Sequence, residues 1–499
     1  MKSIKKVLAM MLVIVLMSSG IAFANGVPPT QGDIDISTSL GMEWLAAQQN
    51  IDGPFVGSWG LTGYNLVGKT GLALLKFETH AWDTDKMSPL DPAYEYYDEV
   101  RAGLDFLLGL LVDSPDGMFV ADPFDSYHVI YNTSIALMAI ANSGEYLPIV
   151  QSMVDYFAFA QTDAPYDGRG GWGYEPNETF SDNSHSGYVS MALAYAESFG
   201  ATVPQIVKDE LALWVGYIQG ADGGSGYSTP NSWHNILKTG NLLQQMNYVG
   251  ISSGDPAFDA ALDFINNEWN EPAGIWAPYT GWRGGGDAPT AHYQATFTMM
   301  KGLEVNGIEV IPNALYGGDW FGEVADVLLS EQNPDGSWPD EYFGTWVGGD
   351  CILSTAWALL TLQKVAPPPA IIEVDINIKP GSFPNAVNPK PKGVLPVAIL
   401  GSEDFDVMSV DCMSIMITME GTEMEFEPLR CEYEDVASDP PVLDPDGYMD
   451  IILHFSMEDV FELIGPDPEG EIELIITGVD MDEFAFMGSD VIWIVPQKN

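Results

Sequence analysis

The chain has 499 residues, with 18 Lys and Arg against 71 Asp and Glu, for a formal net charge of −53. No basic face is available to neutralise phosphates or an anionic bilayer, which excludes binding to nucleic acid and to acidic lipid. Hydrophobic residues make up 46% and aromatic residues 11%, so the chain can bury a large core rather than stay disordered.

At the start, Lys2, Lys5 and Lys6 precede an apolar run from Val7 to Met17, then Ala22-Phe23-Ala24. A charged n-region, a short h-region and an A-x-A site read as a secretory signal peptide cleaved after Ala24. No later stretch is long and apolar enough to span a bilayer, which points to a secreted or cell-surface protein. An exported chain meets oxidising conditions, where Cys412 and Cys431 lie close enough in one domain to pair. Cys351 is then a lone thiol, expected buried on a helix. There is no zinc-ligand spacing and no C-x-x-C motif.

From about residue 25 to 365 the chain repeats. Six segments with a polar outer face are read as helices: Leu40–Gln49, Tyr96–Leu111, Ile149–Gln161, Val207–Gln219, Ala257–Trp269 and Trp320–Gln332. They alternate with six more apolar helices rich in small residues: Lys69–Glu78, Asn132–Asn142, His185–Phe199, Lys238–Val249, His292–Val305 and Leu353–Val365. Gly-rich loops, often with Trp, join each pair, as in Gly57-Ser-Trp-Gly60, Gly170-Gly-Trp-Gly173, Gly281-Trp-Arg-Gly284 and Asp335-Gly-Ser-Trp338. Stacked helix pairs bury a continuous core. Six apolar helices that need cover on both sides suit an inner ring, so the expected fold is a closed, all-α α6/α6 toroid.

Gln332-Asn-Pro-Asp-Gly-Ser-Trp338 resembles the Q-x-x-x-G-x-W repeat of squalene–hopene cyclases, and Gln49 through Trp59 is a looser copy. Gly170-Gly-Trp-Gly-Tyr174 followed by Ser181-Asp-Asn-Ser184 resembles exported prokaryotic proteins with prenyltransferase and squalene-oxidase repeats. The resemblance covers roughly residues 35–365 and implies the terpenoid cyclase/protein prenyltransferase type of α/α toroid. The acid motif of the cyclases, D-x-D-D, is not present; Asp83-Thr-Asp-Lys86 is a partial match in a connection. The Asp, Cys and His that hold zinc in the prenyltransferases are not reproduced, since Asp350 and Cys351 are adjacent and the next His is His454.

In such a toroid the outer-to-inner loops open on one face, where the inner-helix N-termini add partial positive charge. Aligning the inner helices on their small residues puts Lys69, Asn132, His185 and Lys238 at one repeat position, with His292 and Ser354 near the remaining two starts. His128, His185, His234 and His292 all fall at or just before such starts. A polar cleft made of Lys69, Asn132, Trp172, Tyr174, Lys238, His292 and Asp350 would suit a carbohydrate, with rings stacking on sugar faces and lysines meeting a uronate carboxylate. The alternative is that the loop Trp residues are staples between helices. Asp182 and His185 are the candidate catalytic pair, an acid and base across the mouth, although Asp182 also has the place of a helix N-cap. A hydrolase would instead use two carboxylates, Asp182 with Glu178 or Asp350. No P-loop, Ser-His-Asp elbow or H-E-x-x-H occurs, so no nucleotide is expected. The expected function is a toroid that binds a polysaccharide or similar extracellular ligand. The alternative is a polysaccharide-active enzyme, a lyase on uronates or a hydrolase, and the third reading is a terpene-cyclase-like enzyme.

Val365-Ala-Pro-Pro-Pro-Ala370 is a stiff spacer, giving a linker at 366–370. Beyond it, residues 371–499 read as a β-sandwich-like domain with strands Ile371–Ile378, Gly393–Leu400, Ser414–Met419, Met449–Phe455, Glu471–Thr477 and Val491–Val495. Val374-Asp-Ile-Asn-Ile-Lys-Pro-Gly381 and Gly393-Val-Leu-Pro-Val-Ala-Ile-Leu-Gly401 resemble an accessory domain of exported prokaryotic proteins that carries D-x-D-G-x-x-D before L-H-F. Asp444, Asp446 and Asp450 fill that pattern here, and short-spaced carboxylates around a Gly turn suit Ca²⁺. The plainer reading is an acidic turn between strands.

Overall fold

The computed structural model describes residues 27–60, 65–273, 279–284, 290–340 and 350–365. It also describes 372–382, 384–388, 392–402, 405, 407–419, 422, 424–436, 447–465, 470–479 and 485–495. The segment expected to be a signal peptide, residues 1–24, and the expected linker at 366–370 lie outside these residues. The chain divides into two compact units, Met1–Pro368 and Pro369–Asn499.

The first unit alternates outer and inner helices. The outer set is α1 (Gln31–Ala47), α3 (Tyr97–Leu108), α5 (Leu147–Ala160), α7 (Gln205–Ile218), α9 (Pro256–Glu268) and α11 (Trp320–Glu331). The inner set is α2 (Leu66–His80), α4 (Val129–Asn142), α6 (Asn183–Ser198), α8 (Ile236–Tyr248), α10 (Tyr293–Glu304) and α12 (Ile352–Leu362). Burial separates the two sets. Every residue of α12 is buried, and α2 is buried from Leu66 to Thr79. In contrast, α3 buries only the stripe Val100, Gly103, Leu104 and Leu107. An amphipathic helix needs one covered face, while an apolar helix needs cover all round.

The inner helices supply that cover to one another. α2 packs on α4, α4 on α6, α6 on α8, α8 on α10, α10 on α12, and α12 returns to α2. This closed circuit, sheathed by the outer helices, is an α6/α6 toroid. α1 begins earlier than its periodicity suggests, because Thr30 and Asp33 form a reciprocal capping box. Cys351 does not lie within a helix. It is half-buried, at φ 59, just before α12.

One device joins successive repeats. The side-chain amides of Gln49, Gln161, Gln219 and Gln332 each donate two hydrogen bonds. One goes to a glycine carbonyl of its own loop (Gly57, Gly170, Gly223 and Gly336 respectively), at 2.8–3.0 Å. The other goes to a carbonyl in the first two turns of the next outer helix: Glu99, Val207, Ala257 and Ser37. Each of these glycines has positive φ, and a Cβ would lie 1.8–2.4 Å from a backbone oxygen of that neighbouring helix. No side chain fits such an approach. Trp59, Trp172 and Trp338 complete the joint, their indole N–H groups donating to Leu45, Phe157 and Leu328 carbonyls of their own outer helices. Their backbone N–H groups donate to Thr70, Ser186 and Thr355 at the inner-helix starts.

Two repeats use other chemistry. In the second, the hairpin β1 (Leu111–Ser114) and β2 (Gly117–Val120) replaces the Gly-Trp loop, and Gly117 presses on α5. In the fifth, buried Glu323 of α11 pairs with Arg283 and accepts the Trp269 indole N–H at 2.9 Å.

Polar side chains reach the ring interior. Lys301 lies over the Tyr188 and Phe297 rings at 4.9 and 5.0 Å, and Lys76 donates to Gln363. Burial lowers both lysines to about 7.

In the second unit, one sheet runs β3 (Ile372–Glu373), β11 (Ala485–Ile494), β10 (Gly470–Val479), β7 (Met416–Thr418), with β5 (Ala386–Val387) also on β11. The other runs β4 (Ile376–Ile378), β6 (Val394–Ile399), β9 (Asp450–Ser456), β8 (Cys431–Glu434). Ile378, Val397 and Leu453 of one sheet share a core with Leu474, Ile476 and Ile492 of the other, which makes a sandwich. The strand pattern misses α13 (Met457–Ile464), N-capped by Ser456. Cys412 and Cys431 form a disulfide.

Gln332→Ala removes the tie that closes the ring, with its hydrogen bonds to Gly336 and Ser37, so unfolding free energy falls by about 1–3 kcal/mol in calorimetry. Gly336→Ala costs more, since its φ is +97° and its Cβ would sit 2.4 Å from the Leu40 carbonyl. The lysines give a second expectation. Between pH about 7 and 10 the unfolded chain holds protons that folded Lys76 and Lys301 have released, so stability rises with pH. The urea midpoint rises over that range, and Lys301→Met flattens the rise. An unchanged slope in the variant counts against a neutral Lys301.

Candidate functional site

Three acid–histidine pairs stand at the starts of consecutive inner helices on the outer-to-inner loop face. Asp125 Oδ2 is 2.7 Å from His128 Nδ1 before α4, and Asp182 Oδ2 is 3.4 Å from His185 Nδ1 at α6. Asp222 Oδ2 is 2.9 Å from His234 Nδ1 before α8. The first two pairs share the spacing D-x-x-H. That spacing places the carboxylate at or just before the helix start and the imidazole one turn on.

The pairs differ in exposure. Asp182 and His185 are buried, whereas the His128 side chain is 38% exposed. Asp182 accepts the Ser184 N–H and hydroxyl at 2.6 Å, so it is the N-cap of α6. Burial raises its pKa; the His185 ring and the Ser184 and Tyr227 hydroxyls outweigh that and hold it below the usual carboxylate value. The Tyr174 ring covers His185 at 4.2 Å and lies 5.1 Å from His128. The His128 and His185 rings are parallel, 6.4 Å apart. The Tyr174 and Tyr227 hydroxyls are hydrogen-bonded to each other, and burial pushes Tyr174 up to about 12.

Other candidate residues fall elsewhere. Lys69 Nζ is 2.6 Å from Asp350 Oδ2, so this lysine is neutralised within the protein. The other candidate lysine stands apart from that ion pair. That residue, Lys238, is buried beside Asn235 Oδ1 at 3.3 Å, and desolvation lowers it to about 8. Trp172 is fully buried as a staple and Asn132 is fully buried too, so neither presents a face to a ligand at the mouth. His292 caps α10, accepting the Ala295 N–H at 3.4 Å. Asp444 and Asp446 lie outside the described residues. Asp450 is buried, and its carboxylate accepts the Gly401 and Val436 N–H groups at 2.9 Å. Among the described residues no group of three or more His, Cys, Asp or Glu converges on a metal position.

Asp125 and Asp222 escape a reading built on helix starts, because both sit in loops. The repeated D-x-x-H was the available signal for Asp125; Asp222 is twelve residues from His234 and had none. The same face carries exposed rings. Phe55 meets Phe124 at 5.2 Å, Tyr127 stacks on Tyr174 at 4.8 Å, Phe180 lies 6.2 Å from Tyr174, and Trp233 lies 5.6 Å from Tyr227. Tyr127 is 49% and Trp233 42% exposed.

No family model and no curated protein sequence matches this chain. Among solved structures it is similar to the type II terpene cyclase MstE from Scytonema, at 13% identity over 67% of this chain and 98% of that one, with a TM-score of 0.44. It is similar to Candida albicans protein geranylgeranyltransferase-I, at 11% identity over 61% and 87%, TM-score 0.42. A possible GH105 family member from Klebsiella pneumoniae gives 13% identity over 67% and 93%, TM-score 0.43. The assignment to an α/α toroid rests on the circuit of helix contacts within the chain.

Asp182→Asn keeps the cap acceptor and removes the charge. Because the folded pKa is depressed, the charge stabilises above the unfolded value of about 3.9 and its contribution is lost as pH falls through the folded value. Wild type therefore exceeds the variant in stability at neutral pH, and the two denaturation curves converge in acid. A gap that persists at low pH would count against the charge.

Proposed function

We propose that the toroid mouth binds a carbohydrate chain outside the cell. The carrying observation is the terrace of exposed rings, Phe124, Tyr127, Phe180 and Trp233, around loops of three consecutive repeats. Flat aromatic faces stack on the apolar faces of sugar rings, and the half-exposed His128 stands beside them for sugar hydroxyls. With Lys69 held by Asp350, a neutral glycan fits better than a polyuronide. The N-terminal pattern and the Cys412–Cys431 disulfide support an exported setting.

A second reading is favoured by the Asp125–His128 pair. A solvent-facing imidazole oriented by a carboxylate is built to take or give a proton, as a polysaccharide-active enzyme needs. Asp182 and His185 stay with this reading as an inner pair that positions Tyr174. A calcium ion at Asp444, Asp446 and Asp450 remains part of the proposal for the second unit.

Glycan-array screening followed by calorimetry tests the binding reading. Tyr127→Ala and Trp233→Ala each weaken affinity about tenfold, roughly 1.4 kcal/mol, without changing the melting curve. Failure of every neutral glycan to bind would sink it. The enzyme reading requires product formation from a bound glycan that His128→Ala abolishes while binding survives.

A further inference from the structure

The opposite face of the toroid, where inner helices end, holds a cavity of about 370 Å³. Thr79, Trp82, Asp83, Asn142, Tyr195 and Phe199 line it. It is formed at the C-terminal ends of α2, α4 and α6, far along the inner helices from the acid–histidine pairs.

Its wall begins with a break in helical geometry. α2 runs directly into a π-helical segment, Ala81–Asp85, closed by Lys86 at φ 52. The wider turn carries Trp82 and Asp83 to the cavity. Trp82 is 39% exposed, and its indole N–H donates to the Asn142 carbonyl at 2.8 Å, which fixes the ring against α4. Such π segments often occur at functional positions.

Glu78 lies in the last turn of α2 and is fully buried, with neither carboxylate oxygen in a well-formed hydrogen bond. Asn142 is the side chain that interacts with it, and Tyr195 feels its charge; both line the cavity. Desolvation raises its pKa well above the usual value. No lysine or arginine lines the cavity. Lys76 sits nearby on Gln363, and desolvation favours its neutral form.

We propose that this cavity is a binding site for a small organic cation, an amine or quaternary ammonium compound, independent of the mouth. Trp82, Tyr195 and Phe199 offer ring faces to an ammonium group, the arrangement by which aromatic cages recognise such ions. Asp83 supplies charge at the rim. A bare metal ion fits less well, because no three acidic, His or Cys side chains converge here among the described residues.

Titration calorimetry of the full chain with tetramethylammonium and putrescine, each against calcium, tests this. Saturable binding of at least one organic cation is expected, accompanied by a change in tryptophan fluorescence. Asp83→Asn and Trp82→Ala weaken it at least tenfold while matching wild type in melting temperature. Trp82→Phe keeps binding and loses the fluorescence signal. Absence of saturable binding by both organic cations, binding that survives Asp83→Asn and Trp82→Ala, or a site that takes calcium in their place would overturn the proposal.

Discussion

The toroid depends on a hydrogen-bonded joint between one repeat and the next. A glutamine amide holds its own Gly turn with one bond and the next outer helix with another, and a glycine without Cβ lets the two backbones touch. The joint is directional, so each repeat determines the place of the following one. Gln332 bonding to Ser37 applies the same rule across the ends of the repeat array and turns a stack into a ring. Four glutamines make the joint in the same way, while repeats two and five reach a similar end with a hairpin and a buried Arg–Glu pair.

Ring closure sorts the polar groups. Inner helices are covered on all sides, so polar side chains within the ring must satisfy one another. Ser190 donates to Gln244, Gln245 to Asn183, and Asn183 to Ser225 and the Lys238 carbonyl. Lysines drawn into that interior lose much of their charge. The acids, by contrast, dominate the surface, and the net charge of −53 is carried largely by solvated outer faces and by the sandwich. The two faces of the ring then differ in chemistry: histidine pairs and exposed tyrosines on one, a carboxyl-bearing aromatic cavity on the other.

Much of the helical architecture was legible because its signals are local. Helix period, a Gln ahead of the Gly turn and a hydroxyl after Lys69 or Lys238 are each carried by a few neighbouring residues, and Thr70 and Thr239 do receive loop N–H groups. The candidate site was less legible. Lys69 and Lys238 occupy equivalent positions, yet Lys69 meets Asp350, 281 residues away in sequence, and the sequence gives no distance for that pair. Trp172 and Tyr174 are two residues apart and both aromatic; one is a buried staple and the other covers His185. His128 carries the same D-x-x-H signal as His185 but faces solvent, because Tyr174 covers the one far more than the other.

By itself the sequence determined which segments are helices, which of them go inside, and that an all-β domain follows a proline spacer. Those properties follow from periodicity and backbone chemistry, which act over a few residues. Only the tertiary structure decided which charges remain free. Pairing of Lys69 with Asp350, exposure of His128 and burial of Glu78 arise from residues far apart in sequence meeting, and Coulomb and desolvation energies depend on those distances and on burial.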